Sequence, residues 1–595
     1  MLGNLDFSMG WLILAAVMAI LLLAAVVIVW YRMGFAKNGG AVGSDLAAWQ
    51  RNSRNWANSR TLSHNVMAEK MFLEHGCADS LFLGWHNGKA VVSTKYASLL
   101  IVASTGSGKT SRLIVPNIIA HRAGPVVSTT VKADVMELTR AARQANGSTI
   151  RYFDPLGVYG VPSIRFSPLC YVHKFSDAQA IATVLLNGSK SLSDNQLQNQ
   201  AFWDSHGRQV LAPLLLVAVQ MRMSMCDVRQ LLAQPNVVRR ELQRIGDKSA
   251  ITAWDLHTRQ PNDTRGNVES TVGQVLEVWE QEALRPVLDV GDLIWLGDDP
   301  RGIDAGLQTQ APELMAEWAP PKTLQVWRAD DATWANRQPD LSAGDVEETI
   351  RLPQVQSARL LGDVFDLDAF LNSNDTLYLL ATQETQEAYA PLFEVLISMI
   401  LAGLERHCAA NQGRPLKPGI LFAIDEAANV APLRKLDVIV TKVRGEGGLF
   451  ITVWQSKAQI DGIYGQYKAN VIWDNHLNKV FLGGISDRET IEYIIHMVGR
   501  DMYPEVSVTK TENGTSRSTS MRERDVVDTH FYNSVLKGDE AVLEVRFPDS
   551  KMAPAIVNVP PWFNDNRIRR LIPSDVAERF DEAFGDGAKK KRRTP

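Results

Sequence analysis

At 595 residues the chain exceeds what one ordinary domain accommodates, so several folded units are expected. Hydrophobic residues make up 45% and charged residues 22%, which supplies an extended core and excludes a predominantly disordered protein. The formal net charge of -4 excludes a basic coat for nucleic acid and confines any such contact to a local groove or pore.

The first element is the run from Trp11 to Trp30, WLILAAVMAILLLAAVVIVW, which carries no charge. Twenty helical residues at about 1.5 Å each cross the hydrocarbon core of a bilayer. Trp11, Trp30 and Tyr31 stand at the interfacial positions, and Arg32, Lys37, Arg51 and Arg54 follow, whereas only Asp6 precedes. That bias predicts a single-pass helix in the cytoplasmic (inner) membrane, N-terminus outside and the bulk of the chain in the cytoplasm. A cleaved signal peptide fits poorly, because there is no basic leading segment and the apolar run is too long. The anchor is assigned to 1–36 and a juxtamembrane linker and helix to 37–79.

From residue 80 onward, apolar runs of strand length alternate with helical patterns. The runs are ASLLIVAS (97–104), GPVVST (124–129), IRYFDP (150–155), TLYLLA (376–381), GILFAID (419–425), GLFITVWQ (448–455), NKVFLGG (478–484) and AVLEVRF (541–547). Continuous apolar strands interleaved with helices predict an α/β fold with a mostly parallel sheet covered on both faces. The runs fall into two groups, so a nucleotide-binding domain is expected in two parts, 80–171 and 353–575. The stretch between, 172–352, reads as an inserted all-α domain, with FWDSHGRQVLAPLLLVAVQMRM (202–223) as its clearest helix. From 286 it becomes rich in Asp, Pro and Trp and reads as a loop-rich elaboration. The polar segment 509–525 reads as an exposed loop. The tail 576–595 ends in the basic run Lys589–Arg593. Cys77, Cys170, Cys226 and Cys408 show no metal-ligand spacing and read as thiols of a reducing compartment.

The sharpest motif is ASTGSGKTS at Ala103–Ser111, close to the phosphate-loop pattern G-x-x-x-x-G-K-[ST]. Thr105, Gly106, Ser107, Gly108, Lys109, Thr110 and Ser111 are the expected ATP-binding residues. Backbone N–H groups of such a loop wrap the β-phosphate and the lysine reaches the β/γ oxygens. Ala103 stands where the first glycine is expected. An amphipathic helix, SRLIVPNIIAHR, leads out with its N-terminus towards the phosphates. A partner carboxylate is needed for Mg²⁺, and LFAIDEAANV (421–430) offers Asp425 for the metal, with Thr110, and Glu426 as the base for water. Gln455, ending the next apolar run, is placed to sense the γ-phosphate. Arg444, in the glycine-rich turn KVRGEGG, is a candidate to reach a neighbouring subunit's nucleotide.

These motifs, with VVSTTVKADVMELTR (126–140), IRYFDPLG (150–157), RFSPL (165–169), FWDSHGRQVLAPLLL (202–216) and the block 424–465, resemble the TraG/TraD family of type IV secretion coupling proteins. The resemblance spans most of 80–560 and keeps the family's motif order. It implies a RecA-like nucleotide-binding domain with an inserted all-helical domain, assembled as a homohexamer at the inner end of the secretion channel. It also implies ATP and Mg²⁺ as cofactors, and single-stranded DNA, relaxase or other secreted proteins, and channel components as partners. Family roles carry over to Lys109, Thr110, Asp425, Glu426 and Gln455, and less firmly to Arg444. Many members have two membrane helices where one is found here, and the Trp-rich stretch 286–352 departs from the family pattern. The alternatives are an ATPase exporting only proteins, a double-stranded DNA pump of the FtsK type, and a docking receptor that does not hydrolyse nucleotide.

Overall fold

The computed structural model of the chain describes residues 42–130, 133–188, 197–221, 223–288, 293–297, 323–328, 355–361, 365–382, 384–425, 427, 433–511, 514–547 and 552–579. The expected anchor at 11–30, the basic run at 589–593 and the candidate base Glu426 lie outside the described residues. Among the described residues, no single helix is long and apolar enough to cross a membrane.

The strands are β1 (Val66–Met67), β2 (Phe82–His86), β3 (Lys89–Val92), β4 (Leu99–Val102), β5 (Val126–Thr130), β6 (Ile150–Phe153), β7 (Leu293–Gly297), β8 (Thr323–Arg328), β9 (Val355–Leu361), β10 (Thr376–Leu380), β11 (Ile420–Ile424), β12 (Gly448–Trp454), β13 (Asn478–Leu482), β14 (Arg500–Thr511), β15 (Gly514–Asp525), β16 (Glu540–Arg546) and β17 (Met552–Asn558). Twelve of them form one sheet in the order β1-β3-β2-β17-β16-β13-β4-β12-β11-β5-β10-β6. The seven strands from β13 to β6 are parallel. Strands β4, β10, β11, β12 and β13 are buried along their whole length. Each fully buried Leu, Ile or Val there contributes about 2 kcal/mol of transfer free energy, which explains why these runs show no polar alternation. All eight apolar runs read as strands are strands. The eighth departs from the parallel set, since β16 runs antiparallel to both β13 and β17.

The helix entered from β4, Thr110–Ile114 followed by Val115–Ala120, is not amphipathic as expected; every residue from Leu113 to Ala120 is buried. It is sandwiched: Leu113, Ile114 and Ile118 join the core on one side, with Ile101, Ala423 and Val453. Val115, Ile119 and Ala120 join a second cluster with Phe82, Trp85 and Trp562. At the amino edge of the sheet, Arg143 is buried and donates to the backbone oxygens of His121, Gly124 (2.9 Å) and Asn374 (2.8 Å) and to Thr376 Oγ1 (2.8 Å). The side chain thereby ties the entries of β5 and β10 together.

The elements described between β6 and β7 are helices. Phe175–Gly188, Leu197–Gln220, Lys248–Thr258 and Asn262–Glu277 pack on one another around Val210, Leu214, Val217, Trp254 and Val272, all buried. The stretch from 286, expected to be loop-rich, instead supplies β7 and β8, which flank β9 in a three-stranded antiparallel sheet.

Residues 498–535, expected inside the nucleotide-binding domain, form a separate compact unit with the segment ending at Trp56. The segment 509–525 is not a loop: β14 and β15 pair antiparallel over their whole length, from Arg500↔Asp525 to Thr511↔Gly514. Within this unit Ser53 Oγ donates to Asp501 Oδ2 at 2.7 Å, Trp49 Nε1 donates to the Met502 carbonyl at 3.0 Å, and Trp56 stacks on Phe531.

Candidate nucleotide site

Strand β4 lies between β12 and β13, and its carboxyl end opens into the loop 103–109. The loop is fastened at its start by the Ala103 N–H, which donates to the Trp454 carbonyl at 3.0 Å. Ala103 is fully buried and is not among the residues with positive φ, so the backbone there makes no demand that only glycine meets. Gly106 and Gly108 do meet such a demand, with φ of 80° and 79°. A Cβ on Gly108 would also press on Arg112 Nε at 3.0 Å. Ser107 closes the turn by donating its N–H and hydroxyl to the Ser104 carbonyl at 3.2 and 2.7 Å. Ser111 Oγ and Arg112 N both donate to the Gly108 carbonyl, joining loop to helix.

Asp425 follows β11 and is 7% exposed. Thr110 Oγ1 donates to its Oδ2 at 2.6 Å, and Thr129 Oγ1, from the end of β5, donates to its backbone oxygen at 3.2 Å. A hydroxyl from the loop and a carboxylate from the second strand over thus meet at one point. Both are hard oxygen donors of the kind that suits Mg²⁺, and the adjoining glycine loop has the backbone of a phosphate cradle. The residues present therefore fit a Mg²⁺–nucleotide ligand.

The other candidates divide. Thr105, Gly106, Ser107, Gly108, Lys109, Thr110 and Ser111 all lie on the loop and the first helical turn. Gln455 stands directly after β12, at the same edge, with an exposed side chain; its N–H donates to Gln459 Oε1 at 2.9 Å. Arg444 is not brought to this site within the chain. It sits, exposed, in the last turn of the helix Leu436–Glu446 rather than in a glycine-rich turn, at the amino edge where β12 begins.

One residue the sequence reading passed over belongs to the loop's support. Arg112 is 14% exposed at its side chain, donates to the Val559 carbonyl at 3.1 Å and pairs with Asp539 at 3.4 Å. Burial lowers its pKa, and Asp539 opposes that shift. The available signal was a lone charge heading the apolar stretch LIVPNIIA.

Residues 53–278 and 350–527, well over half of the chain, match the family described as Type IV secretory system Conjugative DNA transfer. The chain belongs to that family. The resemblance read from the motif order is therefore borne out at family level. Protein VirD4 of Rhizobium rhizogenes is 20% identical over 495 residues, covering 80% of this chain and 60% of that protein. The conjugal transfer protein TraG of Agrobacterium fabrum is 25% identical over 236 residues, covering 39% of this chain and 34% of its own length. The match to VirD4 thus spans about three-fifths of that relative's length. The unbound monoclinic form of the bacterial conjugative coupling protein TrwBΔN70 matches with a TM-score of 0.51 at 15% identity, over 87% of this chain and 92% of that one. That likeness is one of fold: a mostly parallel mixed sheet flanked by helices.

Proposed function

We propose that this family member is a membrane-anchored ATPase that uses ATP hydrolysis to recruit single-stranded DNA–relaxase complexes and drive them into a type IV secretion channel. The observation that carries the ATPase reading is the Thr110–Asp425 hydrogen bond of 2.6 Å beneath the glycine loop. Lys109 draws the β/γ oxygens, Thr110 and Asp425 hold the metal, and Glu426 orients and deprotonates water. Gln455, at the same edge, reads the γ-phosphate. Bound Mg²⁺ supplies the charge that offsets the phosphates during transfer. Arg444, at the far end of β12, serves the site of the neighbouring subunit, which calls for a closed ring, a homohexamer.

The charge-free run 11–30 supports the anchor. The printed names of the relatives, conjugal transfer and conjugative coupling, support the substrate class. The test is ATP turnover of the reconstituted full chain with and without single-stranded DNA, with Glu426→Gln as the inactive control. Turnover that rises with DNA and disappears in that variant is expected. Turnover indifferent to DNA, in an oligomeric preparation, overturns the DNA-coupled reading in favour of protein-only export.

A further inference from the structure

The helix Lys457–Asn475, which carries the chain from the carboxyl end of β12 back to β13, is broken in the middle. Gly465 has φ 74° and ψ 152°, a conformation open to glycine and strained for any other residue. Two residues beyond the break stands Tyr467, 82% exposed, the most exposed large hydrophobic side chain among the described residues. Lys468 follows it at once, and neither Gly462 nor Gly465 has an atom within 4 Å of where a Cβ would stand, so the approach is open.

We propose that Tyr467 and Lys468 form a contact for single-stranded DNA, the ring stacking on a base and the ammonium meeting a backbone phosphate. The proposal rests on the DNA-coupled reading above and assigns the grip that it leaves without residues. A tyrosine presented to water offers a flat π-face that any base matches, and an adjacent cation neutralises the neighbouring phosphate without reading sequence. The overall charge of -4 requires nucleic-acid contact to be local, and a single aromatic–basic step at a helix break is local.

The place of this step in the fold is what distinguishes it from an incidental surface tyrosine. The helix begins two residues after Gln455, and the intervening Ser456 Oγ caps it by accepting from Gln459 N at 3.1 Å. One residue before the break, Tyr464 is buried. Its hydroxyl donates to the Leu433 carbonyl at 3.0 Å, and its ring meets Trp454 of β12 edge-on at 6.1 Å. Leu433 lies eight residues beyond Asp425 on the same connection. The element bearing Tyr467 is therefore held at its start by the γ-phosphate edge and at its middle by the segment leaving the metal carboxylate.

The test uses the full chain in detergent and fluorescein-labelled oligodeoxythymidine, read by anisotropy, with Tyr467→Ala, Tyr467→Leu, Tyr467→Phe and Lys468→Ala. Losing one stacked base weakens binding about tenfold. The Ala and Leu variants should show that loss, and Phe should stay within about twofold. Lys468→Ala should lower the slope of log affinity against log salt by about one. Oligonucleotides bearing 5-iododeoxyuridine, photolysed with the unaltered chain, should crosslink to Tyr467, a readout that no folding defect in a variant confounds. Unchanged affinity in the Leu variant, or crosslinks that all fall outside 457–475, overturns the proposal while leaving the DNA-coupled reading intact. An unaltered chain that binds ATP but no DNA removes that reading and this one with it.

Discussion

Arg444 and Gln455 flank the same strand from opposite ends: Arg444 in the helical turn before β12, Gln455 immediately after it. Seven strand residues at about 3.3 Å each separate them by more than about 20 Å. One arginine therefore cannot serve the phosphate site of its own chain. Lys109→Ala and Arg444→Ala should each abolish turnover alone, and mixing the two proteins should restore a measurable fraction of it. A mixed ring contains interfaces where an intact Lys109 site faces an intact Arg444. Absence of any recovery in rings shown by mass to be mixed would rule out action across the interface.

The Thr110–Asp425 contact predicts what losing either oxygen does. Thr110→Val and Asp425→Asn should cut turnover on the order of 100-fold, the scale of removing one charge contact from a transition state. Nucleotide affinity should fall in Mg²⁺ and hardly change in EDTA, because only the metal-bound form uses these groups. Calorimetric titrations in the two buffers separate the cases, and equal losses in both would show that the pair only shapes the loop.

Beside the strand that carries the loop, β13 and β16 hold Lys479 against Glu544 at 3.2 Å, at side-chain exposures of 2% and 1%. Tyr493 donates its hydroxyl to the same carboxylate at 2.6 Å. Burial lowers the Lys479 pKa, and Glu544 pulls it back up. Lys479→Met leaves a buried carboxylate with its main partner gone and should cost about 3–5 kcal/mol in denaturant unfolding. Lys479→Met with Glu544→Leu should recover most of that loss, since the isolated charge is what is expensive. A double variant no better than the single one would mean that shape, and not charge, decides at this site.

Glu394, 6% exposed on the helix Gln386–Ala410, accepts the Arg434 N–H at 3.0 Å on the connection that leaves Asp425. Burial pushes its carboxyl up from 4.5 to about 7, against the pull of that N–H and of the Arg434 and Lys435 charges. Between those two values the folded chain keeps a proton that the unfolded chain has released. Stability therefore falls as pH rises through the window and levels off above about 7. Glu394→Gln should gain on the parent by on the order of 3 kcal/mol between about pH 5 and pH 8. Parallel stability curves for the two proteins would show that the carboxyl titrates normally.

The eight apolar strands were legible because burial in the sheet selects unbroken apolar runs. Others hid for particular reasons. In β17, Pro554 interrupts MAPAIVN and argues against a strand; the structure tolerates it, and its carbonyl accepts the Ala57 N–H at 2.7 Å. The paired strands β14 and β15 are rich in Ser, Thr and charge, so they carry no burial signal and read as an exposed loop. At the site, the glycine loop and Asp425 stood out by spacing, and the structure brings Thr110 and Asp425 together. The Arg112–Asp539 bracing could not, since it joins residues 112 and 539 through a sheet order that no local pattern encodes. Tyr464 and Tyr467 look alike in sequence, and only the break at Gly465 buries one ring and exposes the other.

The pairing of the segment ending at Trp56 with residues 498–535 sets a boundary for anyone preparing a water-soluble form by trimming the apolar N-terminus. A cut before Val42 spares the helix Val42–Asn52. A cut after Trp56 removes Ser53 and Arg54, which hold Asp501, and Trp49, which meets Tyr503 edge-on. The remaining ribbon would then present uncovered aromatic surface and open strand edges, a template for aggregation. Poor behaviour of such a fragment would reflect where it was cut and not the solubility of the rest of the chain.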